Sequence, residues 1–267
     1  MWQKLKQLDI IDLERARIPL LNAIQLVAAV TRSYGNGTTT NTIPRLLWNP
    51  AEAAFYTSLK NGDANIIVSL DIKDLVLSIK ENELHAEHLV LSGLTYPLAY
   101  GWMRIKLEAF QLDSELFDDH PEYQIERNLK GDEELNLHDH STNEALAIYY
   151  SNTYYMLNKF AEVTGNKGEI TINPSNLAMA LSSTWQNHKE EIGFIPGDQQ
   201  YLEPYFYRKL EESALLHEDV IFNVRAIWHG KNWHGWVLLA DDILSVEDGR
   251  EEQRIMELFS TGISPVG

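Results

Sequence analysis

The sequence predicts an α+β fold made of two similar halves, each with a helix, an antiparallel sheet and a closing helix. Apolar residues recur with a helical period in several segments, and between these segments the apolar period falls to two. The order helix, strands, helix therefore occurs twice along the 267 residues. Short connections favour antiparallel sheets packed by helices. A duplicated unit sharing one core and a single sheet continuing through both halves are the alternatives.

The N-terminal half is predicted to cover residues 1–115 and to begin with a helix at Pro19. Proline suits the first helical position because its missing N–H would have no partner there. Gly35 and Gly37 follow the apolar run and are expected to end the helix. The residues predicted to share its inner face are Leu20, Leu21, Ile24, Val27 and Ala28.

Strands are predicted between residues 45 and 91 of the same half, where apolar and polar residues alternate. The pair Asn61-Gly62 lies between two such runs and is typical of a tight hairpin, so we expect four or five antiparallel strands. A second helix is predicted over residues 97–112. Its inner face is expected to consist of Leu98, Trp102, Ile105 and Ala109.

The segment 116–140 is the predicted linker, because it is acidic, irregular and interrupted by proline and glycine. The C-terminal half, residues 141–267, then opens with a helix in which Ser141 and Glu144 have the spacing of a capping box. Gly165 is expected to end that helix. Its predicted inner face consists of Leu146, Tyr150, Met156, Leu157 and Phe160.

A second run of strands is predicted over residues 169–239. Phe222, Val224 and Ala226 alternate with polar residues there and are assigned to one of these strands. A last helix over residues 250–259 closes the chain. The two halves are expected to form either separate domains or one compact domain.

The composition argues against several classes of partner. The formal net charge is −17, and the sequence has no cluster of lysine and arginine that could bind a phosphate backbone. We therefore expect no nucleic-acid binding. The same charge disfavours anionic membranes, and no segment approaches the ~20 consecutive apolar residues of a membrane span. The absence of cysteine removes disulfides and thiolate metal ligands. The N-terminus lacks the apolar run of a signal peptide, so a soluble cytoplasmic protein is expected.

No motif identifies a metal, a nucleotide or a catalytic triad. The spacing in His138-Asp139-His140 suits a metal on a strand, but the motif precedes a predicted helix start, so solvated loop residues are the simpler interpretation. His85 and His88 would point to opposite faces of a strand. His217-Glu218-Asp219 is typical of a charged turn, and the sequence has neither a Gly-x-Ser-x-Gly elbow nor a phosphate-binding glycine loop. We therefore predict no cofactor and no metal.

The stretch 195–207 has the highest density of candidate site residues in the sequence. Asp198 and Glu203 would form an acid/base pair if a turn brought them together. Alternatively, Asp198 caps a turn after Pro-Gly and Glu203 accepts backbone hydrogen bonds. Two tyrosines of the stretch share one strand face, where core packing with satisfied hydroxyls is the commoner arrangement. The candidate ligand-binding residues here are Tyr201, Tyr205 and Tyr207.

A second concentration of aromatic residues covers residues 228–236. Its tryptophans and histidines lie near a predicted hairpin. They would either line an apolar pocket that contains a few polar groups or pack the end of a sheet against the core. Trp228 and Trp233 are further candidate ligand-binding residues, and His229 is a candidate catalytic acid.

Together these two segments resemble an uncharacterised family of soluble bacterial proteins with no established activity. The resemblance covers most of the chain, from residue 25 to the last helix. Its most specific parts are Pro-Gly-Asp-x-x-Tyr-x-Glu-Pro-Tyr-x-Tyr at 196–207 and Trp-His-x-x-x-Trp-x-Gly-x-Val-Leu at 228–238. It implies a related fold and carries little information about function.

The chain departs from this family's pattern in two places. The family has a Pro-His-His-Phe-Asp run where this chain has residues 174–178, and Ser-His where it has Thr42 and Ile43. If those residues form a metal or acid/base site in the relatives, this chain lacks most of it. The remnants of such a site would be Asp198, Glu203 and His229.

Three functions remain open. The first is a non-catalytic or catalytically degenerate small-ligand-binding protein with an aromatic and acidic cleft. The second is a small-molecule hydrolase that uses Asp198 or Glu203 as general base and His229 as acid or single metal ligand. The third is a partner-binding protein whose acidic surface docks a basic protein. Neither the ligand or partner nor the oligomeric state follows from the sequence.

Overall fold

The computed structural model describes residues 1–35, 45–82, 85–118, 120, 123–185, 188–211, 222–245 and 249–261. It confirms the predicted α+β class, with helices and three antiparallel sheets. Within these residues, no helix combines the length and the apolar character needed to cross a membrane. Some positions used in the sequence predictions lie outside the described residues: Gly37, Thr42, Ile43 and 217–219.

The first helix, α1 (Ile10–Tyr34), begins well before the predicted start, and Pro19 lies inside it. Asp9 explains the earlier start, because its carboxylate accepts hydrogen bonds from the backbone N–H groups of Ile11 at 2.9 Å and Asp12 at 3.1 Å. Proline inside a helix removes one backbone hydrogen bond and crowds the preceding turn. For this reason the predicted helix began at Pro19. The predicted inner face of α1 is buried.

A five-stranded antiparallel meander follows, and its strand order is the order in the chain. This confirms the predicted strands, and the hairpin between the second and third strands turns at Gly62, which has a φ of 59°. The strands are β1 (Leu47–Asn49), β2 (Ala54–Asn61), β3 (Ala64–Asp71), β4 (Val76–Glu81) and β5 (His85–Val90).

A small two-stranded sheet and a helix come next. The sheet pairs β6 (Leu94–Thr95) with β7 (Glu134–Leu135). The helix α2 (Tyr96–Ala109) lies between them in the chain and is followed by a 3-10 turn at Ser114–Leu116.

The inner face of α2 is not the predicted one. Ala99, Met103 and Leu107 are buried, whereas Leu98 and Ile105 are 60% and 64% exposed. The helix carries apolar residues on two faces, and hydrophobic periodicity alone does not say which of them packs inward.

The chain forms two compact units, whose boundaries differ from those predicted. The N-terminal unit comprises Glu14–Ala147 and Ile172–Leu177. The C-terminal unit comprises Met1–Leu13, Ile148–Thr171 and Ala178–Gly267.

The predicted linker, residues 116–140, lies within the N-terminal unit. Phe117, Ile125 and Leu135 of this segment are buried, and a 2.8 Å ion pair joins its Glu126 to Arg17 of α1. Its acidic side chains lie mostly at exposed positions between these anchors.

The helix α3 (His140–Thr164) begins one residue before the predicted capping box. Its cap is Asp139, whose carboxylate accepts hydrogen bonds from the Ser141 hydroxyl and from the backbone N–H of Thr142 at 2.9 Å. These hydrogen bonds lower the pKa of Asp139 to about 2. The middle residue of the His-Asp-His motif is thus a helix cap, and the predicted inner face of α3 is buried.

The second large sheet has six antiparallel strands and lies mostly within the C-terminal unit. Its strands, in chain order, are β8 (Ile170–Asn173), β9 (Ala178–Trp185), β10 (His188–Ile195), β11 (Tyr205–Leu210), β12 (Ile227–Gly230) and β13 (His234–Leu239). Their order in the sheet is β12-β13-β11-β10-β9-β8. Two helices follow in the chain, α4 (Ala240–Leu244) and α5 (Glu251–Ser260).

Two details of this region differ from the prediction. Residues 222–226 are not a strand, although burial alternates along them. Phe222 instead packs edge-on against Trp236, with ring centroids 5.4 Å apart. The short helix α4 was not predicted, whereas α5 matches the predicted last helix closely.

One face of the six-stranded sheet packs against helices. Phe194 of β10 stacks on Tyr149 of α3 at 5.5 Å, and Phe206 of β11 contacts Phe259 of α5 at 6.4 Å between ring centroids. The same face holds an ion pair between Arg208 Nε and Glu190 Oε2 at 2.7 Å, with both side chains 0% exposed. This face is the core of the C-terminal unit.

Candidate functional site

The opposite face of the six-stranded sheet, the tyrosine face, carries the predicted tyrosines. As predicted from strand alternation, Tyr205 and Tyr207 share this face and are buried, and Phe206 lies on the other face. Small residues on the neighbouring strands leave room for the rings, since Tyr207 pairs with Gly193 of β10, which itself pairs with Ala180 of β9. The Tyr207 hydroxyl donates to Glu191 Oε1 at 2.9 Å.

The loop between β10 and β11 is built around Asp198. Its Oδ1 accepts from the backbone N–H groups of Gln200 at 2.7 Å and Tyr201 at 2.9 Å, which is the turn-capping role considered from the sequence. Its Oδ2 accepts from the Tyr205 hydroxyl at 2.7 Å. Gly197 precedes it with a φ of 97°, where a Cβ would lie 2.7 Å from the Leu202 carbonyl oxygen, so the turn requires glycine.

The loop presents Tyr201 to His229 of β12. The Tyr201 hydroxyl and His229 Nδ1 lie 3.0 Å apart and share a hydrogen bond. On its face, the imidazole stacks on the indole of Trp233, with centroids 4.1 Å apart and planes inclined by 20°. The tyrosine–histidine cluster is therefore a connected group of five side chains: Asp198, Tyr201, Tyr205, His229 and Trp233.

The second imidazole nitrogen of His229 is the unusual atom of the cluster. His229 is only 4% exposed, and its buried Nε2 has no hydrogen-bond partner in the part of the chain that the structure describes. Burial lowers the pKa of His229 from its ordinary value, and Lys231 and His234 lower it further, against the opposing effect of Asp198. The imidazole is consequently neutral at pH 7, and Nε2 serves as donor or acceptor according to the tautomer that Tyr201 selects.

Trp233 lies over β13 beside Gly235. Its indole contacts His229 on β12 and Tyr207 on β11, with centroids 4.1 Å and 5.9 Å away, and these strands flank β13 on either side. The ring therefore crosses β13, where Gly235 pairs with His229 and has no side chain.

Two predicted site residues lie elsewhere. Trp228 is on the helix-packed face and contacts Trp236 at 5.0 Å, because it is adjacent to His229 in the strand and so points the opposite way. Glu203 accepts a hydrogen bond from the backbone N–H of Asp241 at 2.7 Å, at the start of α4. The described contacts of Glu203 are thus with α4 and not with Asp198. This agrees with the alternative in which Glu203 accepts a backbone hydrogen bond.

The position of Glu203 predicts a pH-dependent stability. Burial raises its pKa to about 7, and the carboxyl groups of Asp241 and Asp242 add to the rise, while the Asp241 N–H opposes it. The folded state thus holds this proton more tightly than the unfolded state, where the ordinary pKa is 4.5. The stability that protonated Glu203 contributes is full below about pH 4.5 and is lost as the pH rises through about 7.

Replacing Glu203 by glutamine keeps the acceptor for the Asp241 N–H and removes the titration. We expect the variant to match the wild type in thermal midpoint at pH 4.5 and to exceed it at pH 8. Glu162→Gln, at an exposed position of α3, controls for the loss of one negative charge. A constant difference between Glu203→Gln and wild type at all pH values would contradict the assignment.

Sequence reasoning missed Glu191, which holds the Tyr207 hydroxyl. The signal was present in the alternation of β10, since Glu191 shares a face with Gly193, and strand pairing places it beside β11. What the sequence did not contain was the pairing of β10 with β11. As for metals, no group of three or more histidine, aspartate or glutamate side chains in the described ranges is arranged to hold an ion.

Comparison with known proteins adds no relative. A scan of protein-family models, a search of curated proteins and a search of solved structures each found no match to the chain. The resemblance drawn from the 196–207 and 228–238 motifs therefore stays a prediction, and the function has to be inferred from the geometry of the tyrosine–histidine cluster.

Proposed function

We propose that the protein binds a small uncharged organic ligand at the tyrosine–histidine cluster. The observation that carries the proposal is the buried Nε2 of His229, which lacks a hydrogen-bond partner in the described structure. A buried polar atom left in this way costs about 1–3 kcal/mol of stability. A ligand that hydrogen-bonds to Nε2 recovers this cost, and such locally unfavourable arrangements are typical of binding sites.

The surroundings of the imidazole favour a neutral ligand with an aromatic or otherwise flat apolar part. Asp198 and Glu191, each bound through one oxygen to a tyrosine hydroxyl, give the tyrosine face a negative potential that disfavours anions. Tyr201 and Trp233 provide apolar ring surface next to one polar atom, which is the usual composition of small-molecule sites.

Ligand entry requires a movement, because His229 is almost completely covered. Trp233 is the side chain best placed to move. It is only partly buried and follows the exposed hairpin residues Lys231 and Asn232, so rotation of its indole would uncover the imidazole.

The test is a thermal-shift screen with neutral aromatic and heterocyclic metabolites. A ligand specific to the folded state at about a hundredfold excess over its Kd adds about 2.7 kcal/mol of stability. We expect the rise in midpoint to disappear in His229→Phe, which keeps a flat ring against Trp233 but has no ring nitrogen. His88→Phe, an exposed position on β5, is the matched control and keeps the shift. Equal shifts in His229→Phe and wild type would contradict the proposal.

A second candidate is hydrolysis of a small ester or amide with His229 as general base. The neutral imidazole favours it in the tautomer whose Nδ1–H donates to the Tyr201 hydroxyl oxygen, because Nε2 then carries no proton and can accept one from water. Glu203 has no part in this version, since it binds the start of α4. Turnover of activated esters that His229→Phe abolishes would favour this candidate, and binding without turnover would favour the first.

A further inference from the structure

The outward face of α2 carries a continuous apolar surface. Leu98 and Ile105 are 60% and 64% exposed, and Trp102 is partly exposed beside them. The spacing of these residues places them on one side of the helix, opposite the buried Ala99, Met103 and Leu107. We name this surface the outer stripe, which comprises Leu98, Gly101, Trp102, Ile105 and Ala109.

Gly101, in the centre of the outer stripe, is not required by any neighbour among the described residues. A Cβ at this position would meet no atom within 4 Å. Glycine inside a helix is less favourable than alanine because it loses more backbone freedom on folding. The chain therefore keeps a destabilising residue that its own packing does not need, whereas a helix of another molecule crossing closely over the stripe would need it.

The charges around the stripe are mixed, unlike those of the chain as a whole. Arg104, Lys106 and Glu108 give the helix one more basic than acidic residue, within a protein of net charge −17. Lys106 Nζ lies 5.8 Å from the centre of the Trp102 ring and 3.1 Å from Glu87 Oε2. Two copies can approach each other here with opposite charges in reach, while other surfaces of such acidic chains repel each other.

We propose that the outer stripe is the interface of a homodimer, in which α2 of one copy packs against α2 of another across a twofold axis. In a twofold contact the same patch is present on both sides, so an apolar stripe with a central glycine and flanking charges of both signs is complementary to itself. A basic partner protein fits less well, because the rest of the acidic surface would attract it more strongly than this patch does.

The test is the molar mass in solution, measured by size-exclusion chromatography with light scattering over a range of protein concentrations. The wild type is expected to be a dimer that dissociates on dilution, and Leu98→Glu and Ile105→Glu are expected to be monomers. Leu202→Glu, at a 57% exposed leucine of the C-terminal unit, is the matched control and remains dimeric. Added salt is expected to raise the dimer fraction, because it screens the repulsion between two acidic chains.

Gly101→Ala separates the interface from simple folding effects. The added methyl group raises the thermal midpoint of the dilute monomer, because alanine favours the helix and meets no neighbour. The same methyl group holds the two helices apart and is expected to raise the dimer dissociation constant at least tenfold. A wild type that stays monomeric at all concentrations would overturn the proposal, as would variants of the outer stripe that dimerise as well as Leu202→Glu.

Discussion

Replacing Arg208 by methionine is expected to lower the free energy of unfolding by about 3–5 kcal/mol, the largest effect that the structure predicts for a single substitution. The guanidinium is completely buried, with Nε 2.7 Å from Glu190 Oε2. Without it, the Glu190 carboxylate remains buried with no compensating charge. Burial raises the pKa of Glu190 and Arg208 opposes this, so the variant would also be less stable at high pH than at low pH.

The double variant Arg208→Met/Glu190→Leu is the control for this prediction. Removing both charges leaves no ion in the core, and apolar replacements of buried ion pairs are often neutral or stabilising. We expect the double variant to recover most of the stability in urea unfolding followed by circular dichroism. If Arg208→Met cost less than about 1 kcal/mol, the pair would be worth no more than a surface salt bridge, and the buried assignment would be wrong.

The second large effect is expected for Gly235→Ala. A Cβ on Gly235 would lie 2.1 Å from the Arg208 carbonyl oxygen and 2.9 Å from the Lys209 Cα, both atoms of the neighbouring strand. Backbone atoms in the middle of a sheet cannot move aside as a flexible side chain can. Forcing a methyl group into such a space costs about 1–3 kcal/mol or more. The control is Gly131→Ala, where a Cβ meets no atom within 4 Å.

The same substitution tests how the site is built. Trp233 lies over β13 beside Gly235, so a shift of the β13 backbone that relieves the clash with β11 would also move the indole relative to His229. We expect Gly235→Ala to change the tryptophan fluorescence of the folded protein as well as its stability. Lower stability with an unchanged native spectrum would contradict this, because the clash would then be relieved without moving Trp233.

The alternation of strand residues was the most informative feature of the sequence. It placed Tyr205 and Tyr207 on one face and Phe206 on the other, because the two-residue period of a strand is a property of the backbone alone. The same rule, applied to Trp228 and His229, would have separated them. They were grouped because they are neighbours in the chain, although adjacent strand residues point to opposite faces.

Features that depend on pairing between distant segments were not predictable. The buried Arg208 and Glu190 meet only because β10 and β11 are paired in one register. For a similar reason, the sequence did not show which of the two apolar faces of α2 is buried, since this depends on what the helix packs against. The predicted start of α3 was wrong because Asp139 and Ser141 are both suitable N-cap residues. The sequence did not show that Asp139 is the one that caps the helix.

The central claim is that the polar groups of Tyr201 and His229 serve a ligand and not the stability of the fold. The most direct test is the free energy of unfolding of Tyr201→Phe/His229→Phe in the absence of any ligand. This double variant removes both partners of the 3.0 Å hydrogen bond together with the buried Nε2 that has no described partner. Replacing both partners by apolar rings of similar shape is close to neutral or stabilising when nothing else depends on them. We expect the double variant to be at least as stable as the wild type. A loss of about 2 kcal/mol or more would contradict it, because the pair would then be part of the structural core.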